Sequence, residues 1–263
     1  MFFFYAWVLR VSPSVIVDDL MAEFAVGGAI VGHLSAMYFY GYAGMQVPVG
    51  LLLDRFGPRR LITLAALVCA AGGVGFALSP SILTLSISRL VVGMGAAFSL
   101  MGAVYVAHQW LPARRFAMLS GIAMMFGMAG GVLGQAPVSL AVDAVGWRTA
   151  LLWIAVAGAS LAVVAWLTVR DKPSSENPSA GGVLSGLLEV AQERQTWFNA
   201  IAGLGLSGPL LGFGALWAVP YLQLLIDVPG AQAAGITSTV FVGMGLGAPF
   251  FGWLSDSLNR RKG

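Results

Sequence analysis

The chain has 263 residues, of which 58% are hydrophobic and only 10% charged, and its mean hydropathy is +0.85. A soluble domain carries roughly 25% charged residues, so a water-soluble fold is excluded and the apolar surplus has to be covered by lipid. The net charge of +3 does not mark a nucleic-acid binder, because the basic residues sit in short clusters between apolar stretches rather than along one face.

A bilayer core of about 30 Å takes about 20 residues of helix. Eight runs of that size are predicted, in chain order, at 1–20, 30–53, 60–79, 82–109, 116–141, 148–169, 197–221 and 232–255. The start, Met1-Phe-Phe-Phe-Tyr, lacks the charged region and cleavage site of a signal peptide and reads as part of the first span. The single cysteine, Cys69, has no disulfide partner or metal-ligand companions and reads as a small packing residue. Connections are short except at 170–196, where Pro173, Pro178, Gly181 and Gly182 predict an irregular linker. Leu184, Leu187, Leu188 and Ala191 recur there at helical spacing, which fits an interfacial helix or a packed linker equally well. The predicted organisation is a six-helix amino-terminal bundle over 1–169, a linker over 170–196, and two further helices over 197–263.

Positively charged loops are retained in the cytoplasm. With the amino terminus inside, the inner loops hold Arg55, Arg59, Arg60, Arg114, Arg115, Arg170, Lys172, Arg194, Arg260, Arg261 and Lys262, eleven of the fourteen basic residues. Asp18, Asp19, Glu23, Asp143 and Asp227 fall outside. The predicted placement is a multi-pass protein of the cell (inner, plasma) membrane with a cytoplasmic amino terminus, surrounded by lipid.

The chain repeats itself. Gly50, Leu52, Asp54, Arg59 and Arg60 recur as Gly252, Leu254, Asp256, Arg261 and Lys262, each displaced by 202 positions. Both sets lie at the cytoplasmic end of an even-numbered span, the signature of a parallel tandem repeat. In the first copy Gly50 allows close helix approach, Gly57 suits a left-handed turn, and Asp54 can pair with Arg55, Arg59 or Arg60, or with the amino end of a helix in the opposite half.

The stretch from Gly50 to Leu61 resembles the loop motif between helices two and three of the major facilitator superfamily, and Gly252 to Lys262 resembles its counterpart between helices eight and nine, with Asn259 in place of the turn glycine. Arg89, Gly93 and Gly95 are similar to the family's pattern in helix four, and Gly146-Trp147-Arg148 to its lead-in to helix six. The resemblance implies an all-α membrane fold of the major facilitator type, secondary transport of a small solute by alternating access, and a gating role for Gly50, Asp54, Arg55, Gly57, Arg59, Arg60, Gly252, Asp256 and Arg261. The 202-residue displacement places Gly263 opposite Leu61, so the chain is expected to be a fragment of a twelve-helix protein that lacks helices nine to twelve and does not complete a transport cycle alone.

Arg10 and Arg89 are the two basic residues inside spans, and no acid lies deep in any span. A charge at bilayer depth costs about 2.5–3.5 kcal/mol, which makes both candidates for substrate binding. Arg10 can grip a carboxylate or phosphate, or be satisfied by backbone carbonyls or by an acid on helices beyond this sequence. Helix one resembles that of the organophosphate antiporter branch, and there is some similarity to bacterial relatives of the lysosomal dipeptide transporter, but Arg10 plus the repeat displacement lands on Gly212, so the branch's second arginine is missing. The resemblance implies a cavity-facing Arg89; pairing with Asp18 or Asp19 is the alternative. Ser35, Tyr38, Tyr42, Met45 and Gln46 share one face of helix two, either lining the cavity or packing against a neighbour.

The expected substrate is a small organic anion bound by Arg10, Tyr38, Tyr42, Gln46 and Arg89, with a coupling proton left open because His33 and His108 lie near span ends. A drug:proton antiporter is the alternative, for which Gly130-Gly131 in helix five offers a resemblance that helix packing explains as well; a non-transporting membrane protein is a third reading. No nucleophile, base and acid converge at one depth, which argues against an enzyme. No cofactor or metal is called for, and the expected state is a monomer.

Overall fold

A computed structural model describes residues 1–110, 116–171 and 191–257, and all regular structure among them is helical. The helices are α1 Phe2–Val11, α2 Val17–Phe24, α3 Gly28–Phe56, α4 Pro58–Ala77, α5 Ile82–Trp110, α6 Phe116–Leu133, α7 Ala136–Val145, α8 Trp147–Thr168, α9 Arg194–Pro209, α10 Ala218–Ile226 and α11 Gly230–Ser257. Five stretches, Pro58–Ala77, Ile82–Trp110, Gly121–Val145, Trp147–Thr168 and Arg194–Ile226, are long and apolar enough to cross a membrane, and α2 with α3 forms a sixth as a pair bent by 117°. The linker segment 172–190, with its expected interfacial helix, lies outside the described residues, as do Arg114, Arg115 and Arg261.

The first predicted helix was to reach residue 20; it stops at Val11, followed by a 3-10 turn over Ser12–Val15. Pro13 has no N–H to return to Leu9, so the helix cannot continue as an α-helix. Ser14 turns its hydroxyl back to the Val11 carbonyl at 2.8 Å, and α2, which carries Asp18, Asp19 and Glu23, is bent by 117° from α3. The predicted fifth helix is likewise two, α6 and α7, broken at Gln135 with φ −101° and ψ −100°, two residues before Pro137. The seventh span is continuous but widens into a π-helical stretch over Leu210–Trp217, between Pro209 and Pro220. Such widened turns collect at functional sites.

Close packing fixes the spans that carry the candidate residues. A Cβ on Gly41 of α3 would overlap the Leu90 carbonyl of α5, and one on Gly93 of α5 would overlap the Tyr38 carbonyl of α3. The two backbones therefore touch where Tyr38 and Arg89 emerge, as small residues permit in lipid.

The antiparallel neighbours α4 and α8 are fastened at both ends by the same device. Gly57 (φ 79°, ψ 155°) and Gly146 (φ 80°, ψ 152°) precede them, a positive φ that a side chain rarely tolerates; for Gly57 the predicted left-handed turn is thus replaced by one with extended ψ. Two residues after Gly57, the Arg59 N–H donates to Asp171 Oδ1 at 2.8 Å and its Nε to the Trp166 carbonyl at 2.8 Å. Two residues after Gly146, Arg148 donates to the Ala77 and Ser79 carbonyls at 2.6 and 3.0 Å and pairs with Glu23. Trp147 Nε1 also donates to Glu23, at 3.0 Å. The Arg148 hydrogen bond first, and that of Trp147 with it, holds the Glu23 carboxyl below the usual carboxylate range against a smaller opposing effect of burial. Each arginine thus satisfies carbonyls that the neighbouring helix leaves open at its carboxyl end.

Candidate substrate site

Arg10 leaves the last turn of α1 and is only 8% exposed. Its guanidinium is surrounded by ring faces, with Cζ 4.4 Å from the centroid of Trp7, 5.0 Å from Tyr42, 5.3 Å from Tyr38 and 5.9 Å from Phe39. Nε donates to the Tyr38 hydroxyl at 3.2 Å. The Tyr42 hydroxyl bonds the same side chain, and because aromatic faces attract a cation without using up its donors, further guanidinium N–H groups stay available. Tyr42 stacks on Tyr38 with ring centroids 6.1 Å apart and 15° between planes.

Arg89 approaches the same Tyr38 ring, at 5.0 Å, but both of its Nη nitrogens are engaged by backbone. Nη1 donates to the Leu9 carbonyl at 2.8 Å and Nη2 to the Arg10 carbonyl at 3.5 Å. The Leu9 carbonyl is the one deprived of its helical donor by Pro13, and Ser12 Oγ reaches it only at 3.4 Å. Neither Asp18 nor Asp19 pairs with Arg89: among the described residues the one ion pair is Arg148 with Glu23. The Arg89 Nε remains buried without a partner.

Both arginines line a cavity of about 280 Å³ with Ser35, Phe39, Gly212 and Trp217. Ser35 Oγ is buried and unpartnered, and no carboxylate lines the space. Trp217, from the π-helical stretch, closes one wall; Gly28 and Gly32 leave it room, since a Cβ there would stand 3.1 and 3.4 Å from its ring. Gln135, fully buried at the α6–α7 break, accepts from the Ser14 hydroxyl at 3.2 Å and donates to the Gly214 carbonyl at 3.4 Å. Trp7 meets Phe241 of α11 edge-on at 5.9 Å. The helices on either side of the linker are therefore joined at the Gly146 end, whereas α9, at the other end, buries no residue.

Of the five residues the sequence proposes for the site, Arg10, Tyr38, Tyr42 and Arg89 come together, the two arginines in the cavity lining and the two tyrosines behind them; Gln46 lies one turn of α3 further on, half-buried and also outside the lining. Trp7, Phe39, Gln135 and Trp217 were not foreseen. In the loop motif Gly50, Asp54, Arg55 and Arg60 are exposed. Asp54 makes no ion pair with Arg55, Arg59 or Arg60 among the described residues; it meets the Tyr105 hydroxyl instead, and Arg59 is drawn to α8. Gly252 and Asp256 fall in the last turns of α11.

An all-helical bundle with a charged cavity between its spans defines a polytopic membrane protein of the transporter class. The chain matches the Major Facilitator Superfamily over residues 1–263 and belongs to that family. It is 25% identical over 175 residues to the probable sulfoacetate transporter SauU of Cupriavidus necator, covering 66% of this chain and 41% of that protein. It is 28% identical over 159 residues to the quinolone resistance transporter of Acinetobacter baumannii, covering 57% and 36%. Its fold matches a bacterial homolog of the human lysosomal transporter Spinster in its inward-facing, unoccupied conformation, with TM-score 0.78, 20% identity, and 99% of this chain against 62% of that one. A D-xylose–proton symporter follows with TM-score 0.68, 17% identity, and coverage of 92% and 64%.

Proposed function

We propose that this chain carries the anion-binding part of a secondary transporter that moves a small organic anion by alternating access. One observation supports this most: Arg10 is held by ring faces and the hydroxyls of Tyr38 and Tyr42 beside a cavity without carboxylates, so its remaining N–H groups need an anionic partner. A carboxylate or sulfonate fits that fork in a bidentate way. Ser35 adds a hydroxyl, and Trp217 covers the ligand from the opposite half. In this reading 1–169 and 197–263 are the two moving units, the amino terminus and the loop motif face the cytoplasm, and closure at the Gly146 end with an unburied α9 corresponds to an inward-open state. The gate at Gly50–Arg60 and its second copy at Gly252, Asp256 and Arg261 act from the cytoplasmic side. The protein works as a monomer in the plasma membrane, and proton coupling would enter through residues outside the Arg10 cavity.

The likeness to the quinolone resistance transporter favours a drug:proton antiporter as a second reading, but the lining of the Arg10 cavity offers no carboxylate to accept a cationic drug or a proton. Titration with sulfoacetate as probe separates the readings: binding is expected with the natural chain and a loss of at least tenfold with Arg10→Gln. Equal binding by both would overturn the anion assignment.

A further inference from the structure

At the Gly146 end a second cavity, of about 350 Å³, lies between α2, α7, α10 and the start of α11. It shares no lining residue with the Arg10 cavity. Asp18 and Asp19 of α2 and Asp143 of α7 face it on one side, Gln223 of α10 and Gly230 of α11 on the other. None of the three carboxylates has a cationic partner among the described residues. Burial, and then the neighbouring Asp18, Asp143 and Glu23, push the Asp19 carboxyl above its ordinary range.

Carboxylates at a surface require only water. Ser139 adds a second feature: the residue is 3% exposed, lines this cavity, and its hydroxyl makes no hydrogen bond among the described residues. Other helical hydroxyls here return to the carbonyl four residues back, as Thr237 does to Ala233 and Ser238 to Ala234, at 2.9 and 2.8 Å. The Ser139 hydroxyl instead lies 3.6 Å from where a Cβ on Gly230 would stand, directed at the facing wall. A hydroxyl that no protein group satisfies, aimed from a buried residue into an acidic space, is left free to accept from a donor there.

The lining selects the ligand's chemistry. A directly coordinated metal ion is disfavoured, because no group of three or more metal-ligating acids, histidines or cysteines is close enough among the described residues. The volume sits at the lower end of small-molecule pockets, roughly 300 Å³ and upward. Val15, Val17 and Val142 supply apolar contact, while carboxylates, the Ser139 hydroxyl and the Gln223 carbonyl can accept the three hydrogens of an ammonium. We propose that this vestibule binds the ammonium group of a small organic cation, and that the bound cation holds the α2–α7 wall against the α10–α11 wall. A ligand that contacts both walls stabilises the state in which they meet.

The test is thermal unfolding of the purified full chain in lipid nanodiscs, with butylammonium chloride as probe and sodium chloride or magnesium chloride at equal ionic strength as controls. A rise of several degrees that saturates with butylammonium is expected, with no such rise for either salt. Asp19→Asn with Asp143→Asn should abolish it, Ser139→Ala should weaken it several-fold, and Gly230→Leu, which removes no charge, should abolish it by filling the space. Absence of a saturable rise, an equal rise with either control salt, or a rise unchanged in the Asp19/Asp143 and Gly230 variants overturns the proposal. Because Arg10→Gln leaves this cavity intact, it should keep the butylammonium response whether or not the anion reading stands.

Discussion

Arg10 and Arg89 are the two charges that the sequence buries within spans, and they approach one Tyr38 ring at 5.3 and 5.0 Å. Their hydrogen bonds separate them. Arg89 is bonded to backbone, at the carbonyl that Pro13 strips of its donor and at the next one along. Arg10 is bonded to the hydroxyls of Tyr38 and Tyr42 and otherwise held by ring faces. The same guanidinium can thus complete a broken helix or stand ready for a ligand, and depth in the bilayer does not distinguish the two; the partners do.

The largest expected effect breaks the structural member of the pair. Arg89→Gln leaves the Leu9 carbonyl buried without its charged donor, which costs about 2–3 kcal/mol. The unfolding temperature should drop accordingly while any remaining folded protein keeps its affinity for anion to within a few-fold. Adding Pro13→Ala returns an N–H to the Leu9 carbonyl, so the double variant should be more stable than Arg89→Gln alone. Strict additivity of the two changes in a double-mutant cycle would mean that Arg89 does not act through that carbonyl.

The second effect falls on the other member. Arg10→Gln removes the free fork and should weaken binding of a small anion at least tenfold, about 1.4 kcal/mol, with unfolding temperature changed little compared with Arg89→Gln. Arg10→Lys keeps the charge but not the bidentate geometry and should recover only part of the affinity, as read by isothermal titration. A variant that loses stability as heavily as Arg89→Gln and keeps its affinity would reverse the assignment of the two arginines.

Much of this division was legible in the residues. Apolar run length marked most of the helical stretches though not the breaks after Val11 and at Gln135, the 202-residue repeat and the Gly50–Leu61 loop pointed to the family, and the cost of burying charge singled out Arg10 and Arg89. The partner of Arg89 was also within reach, since a proline four residues after Leu9 names the carbonyl in need of a donor; acids near the span end drew attention to Asp18 and Asp19 instead. The ring faces of Trp7 and Phe39 could not be read, because an aromatic residue in a span looks the same whether it faces lipid or a guanidinium. Gln135 gives no signal in an apolar run until the α6–α7 break places it against Ser14 and Gly214. The π-helical stretch around Trp217 depends on packing across the two sides of the linker, which one segment's composition does not encode.

The smallest expected effect compares the two ends of the α4–α8 pair. Arg59 and Arg148 make equivalent contacts from equivalent turns, but only Arg148 is in an ion pair, with Glu23, whose carboxyl it holds below its ordinary range. A carboxyl depressed in the folded state contributes stability above its unfolded value, and loses it as pH falls through the folded value. The pair is partly exposed, with side chains at 35% and 40%, so it contributes no more than about 1 kcal/mol. The difference in unfolding temperature between the natural chain and Glu23→Gln should therefore be present at neutral pH and vanish as the solution is acidified through the carboxylate range. Arg148→Gln should lower stability at all pH values, because its bonds to the Ala77 and Ser79 carbonyls do not titrate. If Glu23→Gln and Arg148→Gln trace the same pH profile, the Gly146 end is held by charge alone and the likeness between the two clamps is only one of shape.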